Sequence, residues 1–474
     1  MTGSALTALA PYIVLTGGVT LMLLAISFVR RGPVTLALTL AVLLATLASV
    51  GFAAGAGTQL IDGFVLVDGY AHFFTALFVL AAAATAVLTF GYVDRRAAQR
   101  EEFYILLLTA TLGAMTMGAA AHFGAFLLGM EILSISLYAM IAYPDTGRPP
   151  LEAAIKYLVL SGVASTTILF GMALVYGETE SMQFDALAGD GALLRVGQGM
   201  ILAGLAFKLS LVPFHMWTPD VYQGAPAPVT GFVATVSKGA VAALLIRYAV
   251  TTEVLAQEAL FFGLSLIAIV SMVVGNVLAL LQDNLKRLLA YSSIAHMGYL
   301  LIAVLVVASA AGPEMAAETG MVYIVGYFAM TLAAFGVMTV LSTDEDVEDL
   351  ADYEGLFWRR PLLAAVLAAA ALSLAGIPLT VGFIAKFYLF AAGVEGSLWL
   401  LVWALVIGSA IGVYYYLRIV FGMTRQMEAG DEASPSWWGP ATVAVIGVAI
   451  VIMGVYPTPL IDAAREAAIR AFGG

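Results

Sequence analysis

The chain has 474 residues, of which 62% are hydrophobic and only 11% charged, and its mean hydropathy is +1.00. A soluble domain carries roughly 25% charged residues, so an ordinary water-exposed enzyme is excluded and a multi-pass membrane protein is required. The net charge of −11 argues against nucleic acid, and the absence of cysteine excludes disulfides, thiolate-bound metal and Fe–S clusters held by this chain.

No basic residue precedes Arg30, so the first apolar stretch lacks the charged start of a cleavable signal and should remain as an anchor. A helix needs about 20 apolar residues to cross a bilayer. Apolar runs set against charged or Gly/Pro breaks predict about fourteen such spans. They start near Leu9, Val34, Ala71, Phe103, Phe123, Leu151, Val196, Val229, Leu255, Lys286, Glu318, Pro361, Ser397 and Trp438. All should be helical, because lipid offers exposed backbone groups no partner. The fold class is therefore an all-α membrane bundle in contact with lipid.

Basic residues orient it. With the N-terminus outside, the inner connections hold Arg30, Arg31, Arg95, Arg96, Arg100, Arg148, Lys286, Arg287, Arg359, Arg360 and Arg425. The outer ones hold only Arg195, Arg247, Arg465 and Arg470. Positive residues gather inside, so both termini should face the periplasm. The acidic run from Asp344 to Glu354 falls on the inner side, where acids count little.

Two spans carry interruptions: the seventh at Pro213, followed by a half-helix over 214–222, and the twelfth at Gly376-Ile377-Pro378. Prolines 213, 219, 226 and 228 crowd the stretch after the first break and remove backbone donors. The interrupted spans lie five apart, which inverts the second copy of any repeat, and matched broken helices point to a transport site. Gly51 with Gly55, and Gly408 with Gly412, have the spacing of close helix packing.

Of the five lysines, Lys286 stands at a span boundary, whereas Lys156, Lys208, Lys238 and Lys386 fall inside hydrophobic segments, joined by Glu131. Each charge at mid-bilayer costs about 2.5–3.5 kcal/mol, so the group must face a polar interior, pair, or act. Lysine suits proton transfer because its pKa moves on burial, whereas arginine stays charged. Glu131 and Lys208 form the natural switching pair, with Lys238 and Lys386 as onward stations. The bland alternative is snorkelling or structural ion pairing, and Lys156, near the start of its span, is the most exposed to it. His215, two residues after Pro213, and His296, mid-way along the tenth span, are further candidates for the relay. His72 and His122 read as interface anchors, and the aromatics and methionines as lipid-facing or packing residues.

Three stretches, FKLSLVPFHMWTPDVYQGAPAPVTGF, DNLKRLLAYSSIAHMGYL and LAGIPLTVGFIAKFYLF, resemble the antiporter-like membrane subunits of respiratory complex I. The likeness runs from about Phe103 to Met423, and VYQGAPAPVT is nearest the N-type branch. It implies two inverted five-helix repeats, over 103–252 and 253–424, between an N-terminal three-helix segment (1–102) and a C-terminal helix and tail (425–474). It also implies proton translocation driven by quinone reduction elsewhere, in a bacterial inner membrane. Carried over by motif, the relay is Glu131, Lys156, Lys208, His215, Lys238, His296 and Lys386. NADH, FMN, Fe–S clusters and quinone would belong to partner membrane and peripheral subunits, with no cofactor in this chain. The competing readings are a cation/proton antiporter subunit working without electron transfer, and a scaffold subunit.

Overall fold

The computed structural model describes residues 3–93, 100–143, 148–187, 189, 191–342, 346–426 and 437–473. Arg95, Arg96 and Asp344 lie outside them. The long helices, in chain order, are α1 (Ala10–Phe28), α2 (Gly32–Ala54), α3 (Gly69–Val93), α4 (Glu101–Gly118), α5 (Phe123–Ile141) and α6 (Pro149–Thr179). Next come α7 (Ala192–Lys208), the half-helix α8 (Trp217–Gly224), α9 (Ala227–Thr252), α10 (Glu258–Leu280), α11 (Leu285–Val306) and α12 (Gly312–Leu341). The chain closes with α13 (Pro361–Ala375), α14 (Val381–Glu395), α15 (Trp399–Thr424), α16 (Trp438–Val455) and α17 (Thr458–Phe472).

Eleven of the described helices are long and apolar enough to cross a membrane. The predicted spans missing from those eleven have clear physical reasons. Two are interrupted, so each half is too short, and α4 opens with Glu101 and Glu102. One hairpin interrupts the all-helical pattern: β1 (Gln59–Ile61) pairs antiparallel with β2 (Val65–Val67). Asp62 and Gly63 turn it with φ of 49° and 70°, the left-handed pair that an Asp-Gly hairpin turn requires.

The bundle has an inside that lipid does not reach. The apolar windows of α9, α11 and α12 are 100%, 94% and 89% buried within the protein, against 28% and 22% for α1 and α2. Polar side chains on the three central helices therefore meet other polar side chains rather than hydrocarbon. Close helix contact comes from small residues, as membrane packing favours. Gly171 on α6 and Gly197 on α7 approach so closely that a Cβ on either would lie 2.6 Å from the other's carbonyl oxygen. Gly113 on α4 and Gly129 on α5 form a similar pair. Gly171→Ala should therefore lower stability by about 1–3 kcal/mol through overpacking, read as a drop in melting temperature of the detergent-solubilised protein.

The Gly-xxx-Gly expectation fares unevenly. Gly51 has nothing within 4 Å, and Gly55 only the carbonyl of Phe52. Gly408 and Gly412 do receive a neighbour, but it is polar: Asn276 of α10 and Tyr299 of α11 at Gly408, and Asn276 with Tyr415 at Gly412. Gly408 leaves room for it: a Cβ there would stand 2.7 Å from the Tyr299 hydroxyl. His122 caps α5 through its Nδ1, which accepts from Gly124 N at 2.9 Å, and stacks on Phe64.

Candidate functional site

Lys208 closes α7, and the chain then breaks as Pro213 predicts. The following half-helix starts at Trp217 rather than at residue 214, because 209–216 form a turn in which Ser210 adopts φ 63°. Trp217 returns over that turn and donates its indole N–H to the carbonyl of Phe207 at 3.1 Å, one of the acceptors freed by the end of α7. The break thus satisfies its own backbone in part and leaves the lysine facing α5 and α6.

There Lys208, 4% exposed, donates from Nζ to Ser134 Oγ at 2.8 Å and Ser161 Oγ at 2.6 Å. Tyr138 donates to the same Ser161 oxygen at 2.7 Å. Glu131 stands one turn before Ser134 on α5, yet it forms no ion pair with Lys208, so the expected switching pair is not in contact. Its Oε1 is buried with no hydrogen-bond partner. Buried carboxylate oxygens are ordinarily bonded, so this one marks a place for water or for a moving proton donor.

Lys238 follows a π-helical turn, Val233–Ser237, within α9. Such single wide turns commonly sit at functional positions because they re-aim a side chain. The lysine is 1% exposed and donates to Ser293 Oγ on α11 at 2.6 Å, with its Nζ 5.3 Å from the ring centre of Tyr222. Ser293 Oγ also lies 2.5 Å from Tyr327 OH and 3.3 Å from Tyr222 OH.

One turn along α11, His296 is 1% exposed and bonded at both ring nitrogens. Nδ1 lies 2.7 Å from Tyr323 OH and Nε2 3.2 Å from Tyr416 OH. Tyr416 is in turn hydrogen-bonded to Ser292. A further turn on, Tyr299 OH accepts from Asn276 Nδ2 at 2.7 Å, and Tyr415 donates to Asn276 Oδ1 at 2.9 Å.

Lys386 sits on α14, beyond the second break. Gly376, with φ 85°, ends α13 and frees its last carbonyls. Lys386 Nζ takes two of them, Leu374 O at 2.9 Å and Ala375 O at 3.0 Å, and lies 5.5 Å from the centre of the Tyr299 ring. That ring also packs edge-on against His296 at 5.5 Å, so one tyrosine stands between the two groups.

Two sequence candidates stand apart from this row. The Lys156 side chain is 43% exposed and pairs with Glu152 and Asp220, each at 2.8 Å. Asp220 also binds Arg287 at 3.0 Å, and Lys156, Glu152 and Asp220 line a polar cavity of about 360 Å³ with Glu348. His215 lies in the break with an unpartnered Nδ1, and it contacts none of the buried lysines.

The buried basic groups divide by partner. Among the described residues, Lys208, Lys238 and Lys386 are held by hydroxyls and carbonyls alone. Lys286, which the sequence places at an ordinary boundary, is instead 1% exposed and paired with Glu348 at 2.7 Å. Arg247, expected on the outer surface, is 1% exposed and bidentate to Asp68, with Oδ2 and Oδ1 each at 2.9 Å from a guanidinium nitrogen. Its Nε donates to Gly118 O at 3.2 Å, and its face lies 4.9 Å from the Tyr70 ring. A lysine bound only to neutral oxygens can lose its proton without breaking an ion pair; the paired groups cannot.

Sequence reasoning missed the hydroxyl groups. Tyr138, Tyr222, Tyr323, Tyr327 and Tyr416 read as lipid-facing or packing residues and Ser134, Ser161 and Ser293 draw no reading, yet together they hold the candidate amines and imidazole. The i, i+4 spacing of Tyr323 and Tyr327 was the one signal in the sequence, and it points to a link only once α12 is seen to be buried.

The family model described as "NADH:quinone oxidoreductase/Mrp antiporter, TM" matches residues 120–412. NADH-quinone oxidoreductase subunit N of Methylococcus capsulatus is 48% identical over 473 residues, covering 98% of this chain and 96% of that protein. A chain of respiratory complex I from Thermus thermophilus, solved with bound aureothin, superposes with a TM-score of 0.82. It is 34% identical over 97% of this chain and 99% of its own. A chain of the Mrp complex from Dietzia sp. DQ12-45-1b superposes with a TM-score of 0.86 over 99% of this chain and 97% of its own; at 19% identity it shows the shared fold alone.

Proposed function

Because the chain belongs to the NADH:quinone oxidoreductase/Mrp antiporter family of transmembrane subunits, we propose that it is the N-type proton-translocating subunit of a bacterial NADH-quinone oxidoreductase. It works within a membrane assembly of other complex I subunits, as a part of an oxidoreductase that is also a translocase. The observation that carries the mechanism is the row of amines held without counter-ions. Removing an ion-pair partner would leave a fixed charge, whereas these amines have none to leave, so each can exist with or without its proton.

In this reading Glu131, Lys208, Lys238, His296 and Lys386 form the relay, with serine and tyrosine hydroxyls as the links the protein itself supplies. Protons move between the links through water, which the buried, unpartnered Glu131 oxygen and the two helix breaks are suited to bind. Lys156 and His215 belong to the margins: the first to the charged vestibule around Asp220, the second to the break after Lys208. Fourteen crossings follow if each broken pair counts once, with inverted repeats over 103–252 and 253–424, both termini periplasmic, and an inner-membrane location. The electron carriers (NADH, FMN, Fe–S clusters and quinone) belong to partner subunits, consistent with a chain that has no cysteine. The antiporter alternative shares this fold, and the identity to a quinone-oxidoreductase subunit favours the redox-driven pump.

The test uses Glu131→Gln and Lys386→Ala in the whole complex, with NADH oxidation and proton uptake measured on the same membrane vesicles. Each should reduce coupled proton uptake by about tenfold, the scale of one lost interaction with a charged group. Normal coupled pumping by both variants contradicts the relay. Co-purification with a flavin- and iron-containing arm supports the pump, and sodium/proton exchange in its absence supports the antiporter.

A further inference from the structure

Among the described residues, Lys238 hydrogen-bonds to the rest of the site through a single oxygen. Its Nζ, the Tyr327 hydroxyl and the Tyr222 hydroxyl converge on Ser293 Oγ at 2.6, 2.5 and 3.3 Å. They arrive on α9, α12 and α8, and Ser293 itself is 2% exposed on α11. A hydroxyl has one hydrogen to give and two lone pairs to offer, so three neighbours use it completely.

That count links its orientation to the charge on the lysine. An ammonium only donates, so it occupies one lone pair; the Ser293 hydrogen must then point to one tyrosine while the other tyrosine donates in. A neutral amine has a lone pair of its own. It still can donate, but it can now also accept the Ser293 hydrogen, and both tyrosines then donate to the serine. Losing the proton at Lys238 therefore opens an arrangement closed to the ammonium, in which the serine O–H reverses and at least one phenol hydrogen turns with it.

We propose that Ser293 is the positioning residue of the central lysine, reversing with the charge on Lys238 and reorienting the Tyr222 and Tyr327 hydroxyls together. This rests on the relay reading above and deepens it. The two tyrosines lead in different directions. Tyr222 belongs to the half-helix after the first break, next to Gln223 and Gly224 of the vestibule wall. Tyr327 lies one turn from Tyr323, the partner of His296. The ionisable groups around this corner are Tyr157 and Tyr222 from the first half, His296 from α11, Tyr323 and Tyr327 from α12 and Lys386 from α14. Among the described residues no carboxylate is paired with Lys238 there, so the serine is the contact through which its charge is felt.

The experiment reconstitutes the intact complex in liposomes with Ser293→Ala, Ser293→Thr, Tyr327→Phe and Lys238→Ala. It reads protons moved per electron across a pH series. Ser293→Ala should assemble, lose about tenfold in proton translocation and show a displaced pH profile, while Ser293→Thr, which keeps the hydroxyl, restores both. If Ser293→Ala does not assemble, Tyr327→Phe reads the same corner: reduced pumping with a displaced profile supports the proposal, and unchanged pumping overturns it. Wild-type pumping and profile in Ser293→Ala, beside a silent Lys238→Ala, overturns the role of the serine alone. Wild-type pumping in Lys238→Ala overturns the relay reading and this inference with it.

Discussion

Lys208→Ala is expected to reduce coupled proton translocation by at least about tenfold while leaving the complex assembled. The separation of the two effects follows from the partners. Truncation removes the amine from Ser134 and Ser161, both of them neutral. Neither hydrogen-bonded partner carries a charge, and Tyr138 still donates to Ser161. The structural penalty is then a cavity and one re-paired hydroxyl, far smaller than an orphaned ion. Lys208→Arg should fail in the same assay, because guanidinium keeps its proton at any working pH and demands a wider set of acceptors. The measurement is NADH-driven proton uptake in inverted membrane vesicles, normalised to assembled complex. Alanine and arginine variants that pump like the wild type would remove Lys208 from the path.

Asp68→Ala should act in the opposite manner, through abundance and stability. Asp68 and Arg247 have side-chain exposures of 0% and 1%, and the carboxylate also accepts Ala71 N at 2.8 Å. Removing it leaves a guanidinium buried beneath Tyr70 and Phe472, a change that typically costs about 3–5 kcal/mol. Against a total stability of about 5–15 kcal/mol, that is enough to deplete the folded protein. The pair ties α3 to α9, to the end of α4 through Gly118, and to the C-terminal helix α17 through Phe472. The double variant Asp68→Leu with Arg247→Leu should recover most of the loss, since well-packed apolar residues often replace a buried pair without penalty. Melting temperature and membrane abundance of the single and double variants decide the matter. A double variant no better than Asp68→Ala would show that the ions are required as ions.

Much of this was legible in the sequence for one reason: hydropathy makes a lysine in a membrane segment conspicuous. Lys208, Lys238 and Lys386 stand out because lipid penalises them, and Pro213 and the Gly376-Ile377-Pro378 run stand out because proline interrupts a helix. What hydropathy cannot separate is a lysine with a carboxylate partner from one without. Lys286 and Glu348 are 62 positions apart in the chain and meet only through the fold. Arg247 lies near the end of α9 and reads as a boundary residue, yet Asp68, Tyr70 and Phe472 of α17 close over it. Serine and tyrosine are too common in membrane helices to draw notice, so the hydroxyl links emerge only when α11 and α12 prove to be shielded from lipid. Nor could hydropathy show that Ser134, one turn along α5 from Glu131, is the residue of that helix that takes the Lys208 amine.

The central claim is that these amines line a hydrated path, and a density map of the assembled complex that resolves ordered water tests it most directly. The account predicts water on Glu131 Oε1, water joining the Lys208–Ser161–Tyr138 group to the Lys238–Ser293 group, and water reaching Lys386 at the second break. Dry packing around all three amines, with no solvent between one group and the next, would contradict it.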